Sequence, residues 1–413
     1  MKTINLKLSV LTFLQFISYG IFYPIMSYYM LKYLHFSPYQ VGLALAVSSA
    51  SNFISPFVVG MLSDKILSSE RLIFICNILA AIFILITAFQ TDFILFTIFF
   101  FLYTLVMMPT NALLNTIIFH NLGDNAEKDF GNIRLWGTIG WIVPSWFVSV
   151  VLISPNISII KLDLSIIFPI IFISSILVSV FVMIFFKEIK IMKKEKTKIN
   201  FSDFFSPFRI KGIVFIIILN TFINMIDRFH FYGTSPFLVK LGFLEKDVMA
   251  LMSIGQFLEI FIALTLSFLL MKLKMKNVII LGILIEALRY GLYCFTTNKI
   301  LITIALALHG IISVYYYFAI MIELDKYCDY KNRSNVQQLN ALFTSGIGTI
   351  LGNYISGFIG EIYYDKTSNT ILFEYFWLVP FIISVVVLII VIIFFKRYDK
   401  KPRIEIVYNK MEI

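Results

Sequence analysis

Three short stretches of this sequence place polar groups among apolar neighbours. The first is Phe130-Gly-Asn-Ile-Arg134-Leu-Trp136-Gly-Thr138-Ile-Gly-Trp141, which opens a long apolar run and sets a guanidinium a few residues inside it. A charge at the centre of a membrane helix costs about 2.5–3.5 kcal/mol on insertion scales, so it is normally given an anion, a substrate or a carboxylate to face. Thr138 follows Arg134 by four residues and shares its helix face, and Trp141 extends that face with an aromatic plate. Gly137 and Gly140 admit a second backbone. The second stretch is Ser253-Ile-Gly-Gln256-Phe-Leu-Glu259, whose three polar side chains step by three along one face. An amide beside a carboxylate suits a polar ligand, and an intramembrane carboxyl is a ready proton carrier. Glu259 is the first candidate for that role; the blander alternative is a hydrogen-bonded tie between helices. The third stretch is Asp227-Arg228-Phe-His230. Asp227 and His230 share a face, Arg228 is expected to point elsewhere, and the set reads either as functional or as an ion pair with another helix.

Other polar residues fall on the same kind of apolar background. Asn111 and Asn115, at i and i+4, either bond to a neighbouring helix or line a cavity. Glu286 and Arg289, at i and i+3, pair with each other in a structural role. His309, Ser313 and the run Tyr315-Tyr316-Tyr317 offer aromatic and polar faces, read as packing or as a stacking surface for a ring-shaped substrate. Glu323 and Asp325 are expected to face bases at a helix end. Gly233 and Pro236 predict a break in the helix that carries Asp227, with a gating role.

The elements that must position these groups follow from composition. Of 413 residues, 59% are hydrophobic and 14% charged, which places the chain with polytopic α-helical membrane proteins. Alternating strand patterns are absent, which argues against a membrane β-barrel. Twelve spans are expected at 8–33, 40–62, 71–90, 93–118, 132–153, 165–187, 212–239, 246–271, 276–296, 299–322, 335–360 and 371–396. The first is too long for a signal-peptide core and reads as a retained helix. Cys76, Cys294 and Cys328 are too scattered for a disulfide or metal framework, and no cofactor or metal is expected. The net charge of +10 reads as basic loops and not as nucleic-acid binding. Of the 34 Lys and Arg, 26 lie at the termini and even-numbered connections, counting Arg134 at its helix mouth, six in odd-numbered connections, and two, Arg228 and Arg289, inside spans. That asymmetry predicts both termini in the cytoplasm.

The only long polar interior stretch, about 187–211, divides the spans into six and six. It reads as a solvated, topology-holding linker, with anionic-lipid contact the minor option. The expected units are a half over 1–187, a loop over 188–211, a second half over 212–396 and a cytoplasmic tail over 397–413. This is the layout of the major facilitator superfamily, all-α with two pseudo-symmetric halves and substrate held between them near the midplane. The loop Gly60-Met-Leu-Ser-Asp64-Lys65, with Arg71 opening the next helix, is similar to that superfamily's Gly-x-x-x-Asp-Arg/Lys motif. Its later Gly-Arg/Lys is replaced by Ser68-Ser69-Glu70, and its expected role is conformational. In the second half, Lys272-Leu-Lys-Met-Lys276 keeps the bases without the acid.

Nearly end to end, the chain resembles the bacterial nucleoside:proton symporter family of that superfamily. The resemblance rests on Leu11-Thr-Phe-Leu-Gln15-Phe16, Arg134-Leu-Trp-Gly-Thr-Ile-Gly, Ser253-Ile-Gly-Gln-Phe-Leu-Glu259, Lys276-Asn-Val, Leu288-Arg289-Tyr290, and Arg333 through Gln337 to Gly352 and Gly357. It implies that Arg134, Thr138 and Trp141 line a nucleoside site from the first half, and that Gln256 and Glu259 contact it from the second, with Glu259 near the proton pathway. Asp227 and His230 stand where the family presents neutral amides. His309 replaces a Tyr, and Val314 replaces an Asp, which shifts the coupling to Glu259 alone or to Asp227. With these departures Asp227, His230, His309 and Ser313 also count as candidate substrate contacts.

The sequence thus predicts a monomeric, multi-pass transporter of the cytoplasmic membrane that takes up a nucleoside with a proton by alternating access. The rivals are a proton-coupled sugar or oligosaccharide symporter, an uncoupled nucleoside facilitator and, from another class, a membrane sensor. A cavity rich in hydrogen-bonding and charged groups argues against multidrug efflux. No phosphate-binding Gly-rich loop, metal-ligand cluster or nucleophile motif supports an enzyme.

Overall fold

The computed structural model describes residues 2–63, 67–123, 126–151, 164–186, 205–327 and 333–398. They form twelve long helices: α1 (Lys2–Lys32), α2 (Pro38–Ser63), α3 (Ser69–Ala88), α4 (Phe93–Leu122), α5 (Ala126–Val151), α6 (Ile167–Phe185), α7 (Lys211–Lys240), α8 (Glu245–Lys272), α9 (Met275–Phe295), α10 (Lys299–Asp325), α11 (Asn335–Ile362) and α12 (Phe373–Tyr398). Each expected span falls on one of them, and they pack as two six-helix halves. Helix starts are written in the sequence. The Ser68 hydroxyl accepts from the Arg71 amide, Asp92 from Leu95, and Asn298 from Ile300 and Leu301; each cap satisfies an orphan N–H of a first turn.

Among the described residues, ten helices are long and apolar enough to cross a membrane. Their outer faces confirm the solvent they need: Leu264 is 80% exposed, Phe89 77% and Ile300 72%. A belt of that kind is stable only against hydrocarbon. Inside, hydroxyls are quenched within their own helix, as where Thr12 donates to the Leu8 carbonyl at 2.8 Å and Thr97 to Phe93 at 2.7 Å.

Among the described residues, regular helix is interrupted at four places. α4 breaks at Met108, where Pro109 starts a new helix; the Met107 carbonyl there accepts from Thr110 at 2.6 Å and from Tyr19 at 3.2 Å. α8 breaks at Ser253. α10 and α11 contain π-turns over Ser313–Phe318 and Leu342–Gly348, irregularities that often accompany functional sites. The break expected in α7 is not found. That helix runs unbroken past Gly233, where an added Cβ would lie 2.5 Å from the Phe376 ring and 2.9 Å from Trp377. Gly233 admits α12, and Pro236 falls near the helix end.

The halves are tied at one end, where α1, α5, α7 and α11 finish and α2 and α8 begin. Tyr28 and Tyr33 donate to Glu245, at 2.8 and 3.1 Å, and Lys32 forms an ion pair with the same carboxylate. Ser149 donates to Asp247 at 2.8 Å, Trp146 to Ser253 at 3.0 Å, and Tyr232 to the Pro38 carbonyl at 2.8 Å. Asn353 of α11 reaches Ser49 of α2 at 2.8 Å, and Gly42 and Gly357 bring those two helices into backbone contact. Gly42→Leu is expected to force this end apart. A cysteine at Ser49, in a background without the native cysteines, should then be labelled several-fold faster by a membrane-impermeant thiol reagent; unchanged labelling would mean the seal lies elsewhere.

A short antiparallel pair, Tyr364–Asp365 with Thr370–Ile371, joins α11 to α12. Asp365 caps its turn by accepting from the Thr367 amide and hydroxyl and the Ser368 hydroxyl, which hold its carboxyl down at about 2.

Of the expected loop motif, Asp64, Lys65 and the surroundings of Gly60 lie outside the described residues, and Arg71 sits in the first turn of α3. Cys328 and most of the central polar stretch also lie outside them. Cys76 and Cys294 are free thiols.

Candidate functional site

α5 packs along α1 because its small residues face it. A Cβ on Gly20 would lie 2.5 Å from the Trp141 carbonyl oxygen, and Gly137 and Gly140 face Phe16 and Phe13. This close approach lays the Arg134 guanidinium over the Phe16 ring, 4.4 Å from its centroid. Arg134 is half-buried and forms no ion pair among the described residues. A stacked guanidinium of this kind keeps its N–H fork free for an incoming acceptor. One turn on, Thr138 is half-buried. Trp141 stacks on Tyr23 of α1 at 5.6 Å and 12°, making an aromatic wall with Tyr19 beside it.

α8 faces this wall from the other half. Gly255 and Gly310 let α8 and α10 touch: a Cβ on Gly310 would overlap the Gly255 carbonyl, and lie 2.6 Å from the Glu259 amide. Glu259 is therefore held close to α10, where its carboxylate meets the Ser313 hydroxyl of the π-turn and feels the Arg134 charge across the gap. Gln256, one turn earlier, is half-buried, and its Oε1 has no hydrogen-bond partner. Ser253 is occupied, accepting from Trp146 and donating to the Ala250 carbonyl at 2.7 Å.

Asp227, His230 and His309 gather one layer deeper, around Arg289. Arg289 is wholly buried and donates from Nη2 to Glu286 Oε1 at 2.8 Å and from Nη1 to His309 Nδ1 at 2.8 Å. Its Nη2 also lies 3.5 Å from Asp227 Oδ1. Because a guanidinium only donates, His309 accepts at Nδ1 and carries its proton at Nε2. Contrary to the expectation for Arg228, its Nη2 turns back to Asp227 Oδ2 at 2.6 Å, and its guanidinium lies 4.8 Å over the Phe231 ring. Adjacent side chains diverge at Cα, but the long Arg stem spans the difference. His230 stacks on His309 at 5.0 Å and bonds to Thr234 at 2.9 Å. Phe231 packs between this cluster and the wall, edge-on to His309 at 6.0 Å and tilted on Tyr23 at 5.7 Å.

The structure thus brings Arg134, Glu259 and Ser313 near one another across the halves, with Trp141 on the wall of the Arg134 side, Gln256 one turn from Glu259 and Thr138 one turn from Arg134. It sets Asp227, His230 and His309 in a charge cluster behind Phe231. Val314 is fully buried. Glu323 meets Lys326 at 2.8 Å, while Asp325 accepts from the Gln337 amide at 2.7 Å. Tyr23, Phe16 and Phe231 were missed in the sequence. The signal for Tyr23 and Phe16 was the spacing of Phe16, Tyr19 and Tyr23 on one face of α1, which is indistinguishable from packing until Trp141 and Arg134 are placed against them.

Residues 1–400 match the family described as Nucleoside H+ symporter. Among curated proteins, YegT of Escherichia coli (strain K12) is 28% identical over 416 residues, covering 97% of this chain and 96% of that protein. The nucleoside permease NupG of the same organism is 26% identical over 388 residues, covering 87% of this chain and 88% of its own. The crystal structure of nucleoside transporter NupG superposes with a TM-score of 0.84 at 24% identity, covering 95% of this chain and 99% of that one. A bacterial homologue of the human lysosomal transporter Spinster has the same fold, with a TM-score of 0.76 at 14% identity.

Proposed function

The chain belongs to the nucleoside H+ symporter family, and from that premise we propose that the gap between Arg134 on α5 and Glu259 on α8 is where it holds its nucleoside. The protein is a proton-coupled nucleoside transporter of the inner membrane, not an enzyme. The observation that carries the site is the pair of unmet demands facing each other across the halves. Arg134 has a stacked guanidinium without an ion pair, and Gln256 has an orphaned carbonyl beside the Glu259 carboxylate. A nucleoside meets both. Its base lies along the Trp141–Tyr23 wall and takes the Arg134 fork at a ring acceptor, while its sugar hydroxyls donate to Gln256 and Glu259, with Thr138 and Ser313 beside them.

Alternating access follows from the one-ended seal. With both termini in the cytoplasm, the tied end faces outward and this conformation opens inward. Glu259 takes a proton from outside with the substrate, reorients while neutral, and releases it inside. The working unit is a monomer in the bilayer, built from halves over 1–187 and 212–396.

Uptake of labelled uridine and adenosine into vesicles containing purified protein tests the reading. Accumulation driven by an inward proton gradient, abolished by a protonophore and insensitive to unlabelled sugars, is the expected result. Gradient-independent equilibration would make the protein a facilitator, and competition by sugars would redirect the site. Arg134→Ala is expected to weaken nucleoside binding about tenfold or more, the range of a lost charged hydrogen bond of roughly 1.5–3 kcal/mol. Equilibrium binding by calorimetry checks it, and unchanged affinity would give Arg134 a packing role.

A further inference from the structure

Two buried carboxylates, Asp227 of α7 and Glu286 of α9, converge on a single nitrogen of Arg289, at 3.5 and 2.8 Å from Nη2. Each keeps one oxygen without a hydrogen-bond partner, Oδ1 of Asp227 and Oε2 of Glu286. A buried, unpaired carboxylate oxygen is among the costlier features a protein can carry. A proton on Glu286 Oε2 removes the buried negative charge there. It adds an O–H donor and leaves Oε1 free to accept from Arg289.

We propose that Glu286 and Asp227 form a shared proton-binding pair around Arg289, a protonation site of the transport cycle separate from Glu259. The proposal rests on the proton-coupled reading above and deepens it. The surroundings of the pair favour this use. From α7 come Arg228, bonded to Asp227, and His230, held by Thr234. From α10 comes His309, which accepts from Arg289 and lies 4.0 Å from Asp227, and further along the same helix the buried Tyr316 packs edge-on to Tyr317. From α9 itself come Tyr290, which receives Arg289 at 3.1 Å, and Tyr293, and α12 covers both with Trp377. Two guanidinium groups against two carboxylates balance with the pair ionised, so one added proton leaves a net positive charge that the other half must accommodate by moving.

Arg228 also lines a small cavity between α1, α2, α4, α7 and α11, whose wall carries Ser48, Ser49, Asn52 and Asn353. A proton entering there binds a carboxylate oxygen of the pair, on Asp227 next to Arg228 or on Glu286 across the shared guanidinium. Arg289 keeps its own protons throughout, and the added proton leaves from the oxygen that holds it, with no other bond made or broken.

The test has two arms. In proteoliposomes under imposed proton and potential gradients, Glu286→Gln is expected to lower the number of protons carried per nucleoside by one. Asp227→Asn should do the same, and the double variant should lose no more than either alone, since the proton is shared. Nucleoside counterflow, which needs no net proton movement, reports separately on folding and substrate binding. In the second arm, infrared titration of the purified protein without nucleoside should show a protonated-carboxyl band that Glu286→Gln removes and Glu286→Asp retains. An unaltered stoichiometry, or a band that survives Glu286→Gln, overturns the proposal. Absence of nucleoside flux in the wild type would sink the substrate reading and leave the infrared arm to decide the proton site.

Discussion

Glu259→Gln is expected to cut uphill nucleoside accumulation by the drive that one proton supplies, while nucleoside exchange, though reduced, continues. The amide has the size of the carboxyl and can still meet the Ser313 hydroxyl on the α10 π-turn, so α8 keeps its seat against Gly310. What it loses is the proton. With Glu259 ionised, its attraction to Arg134 acts between α5 and α8, on opposite halves, and holds this side of the site together. With Glu259 protonated the attraction lapses, and a bound nucleoside takes over the Arg134 fork. With Glu259 ionised the two charges offset each other across the gap, and with Glu259 protonated a bound nucleoside gives the Arg134 fork an acceptor, so substrate and proton favour the same state, which is what couples the two gradients. Glutamine mimics the protonated state permanently, so the loaded carrier reorients without the proton that Glu259 would carry. Uptake of labelled nucleoside with and without a proton gradient, set beside counterflow, separates the two effects. Full gradient-driven accumulation by Glu259→Gln would remove the residue from the proton path. Glu259→Ala should lose exchange as well, because it also deletes the sugar contact.

The spans were legible because hydrocarbon demands runs of apolar residues, and each such run became a helix. The facing of Arg134 toward Glu259 was half legible. Helix periodicity puts Arg134, Thr138 and Trp141 on one face, but nothing in sequence says that this face meets α8. The cluster around Arg289 was the least legible part. Arg289 was read as the partner of Glu286 alone, which it is at 2.8 Å, yet the same guanidinium also collects His309 and Asp227 from two other helices. Such convergence depends on helix packing, and sequence spacing reports only contacts within a helix. Gly233 misled for a related reason. A glycine beside a proline has the composition of a hinge, and only the Phe376 ring against its Cα shows it to be a contact. The π-turns of α10 and α11 leave no compositional mark, yet one of them presents Ser313 to Glu259.

Arg289→Ala is expected to cause the largest loss of stability of any single change in the second half. Removing one member of a buried ion pair costs about 3–5 kcal/mol, because the charge left behind has no water to replace its partner. Here three groups are stranded at once: Glu286 Oε1, His309 Nδ1 and the nearer oxygen of Asp227, with Arg228 alone remaining to balance two carboxylates. Arg289→Lys should not rescue it. A single ammonium cannot replace two nitrogens that reach Glu286 and His309 in different directions, both at 2.8 Å. Thermal denaturation in detergent measures the loss. The informative partner is the double variant Arg289→Met with Glu286→Gln, which removes the cation together with one carboxylate and leaves Asp227 with Arg228. If the penalty of Arg289→Ala comes from stranded charge, the double variant is more stable than Arg289→Ala despite carrying two changes. If the two are equally unstable, Arg289 acts by filling space beneath Tyr290, over whose ring its guanidinium lies at 4.8 Å. An Arg289→Ala protein as stable as wild type would mean that water reaches the cluster, and that the charge balance assigned to it is wrong.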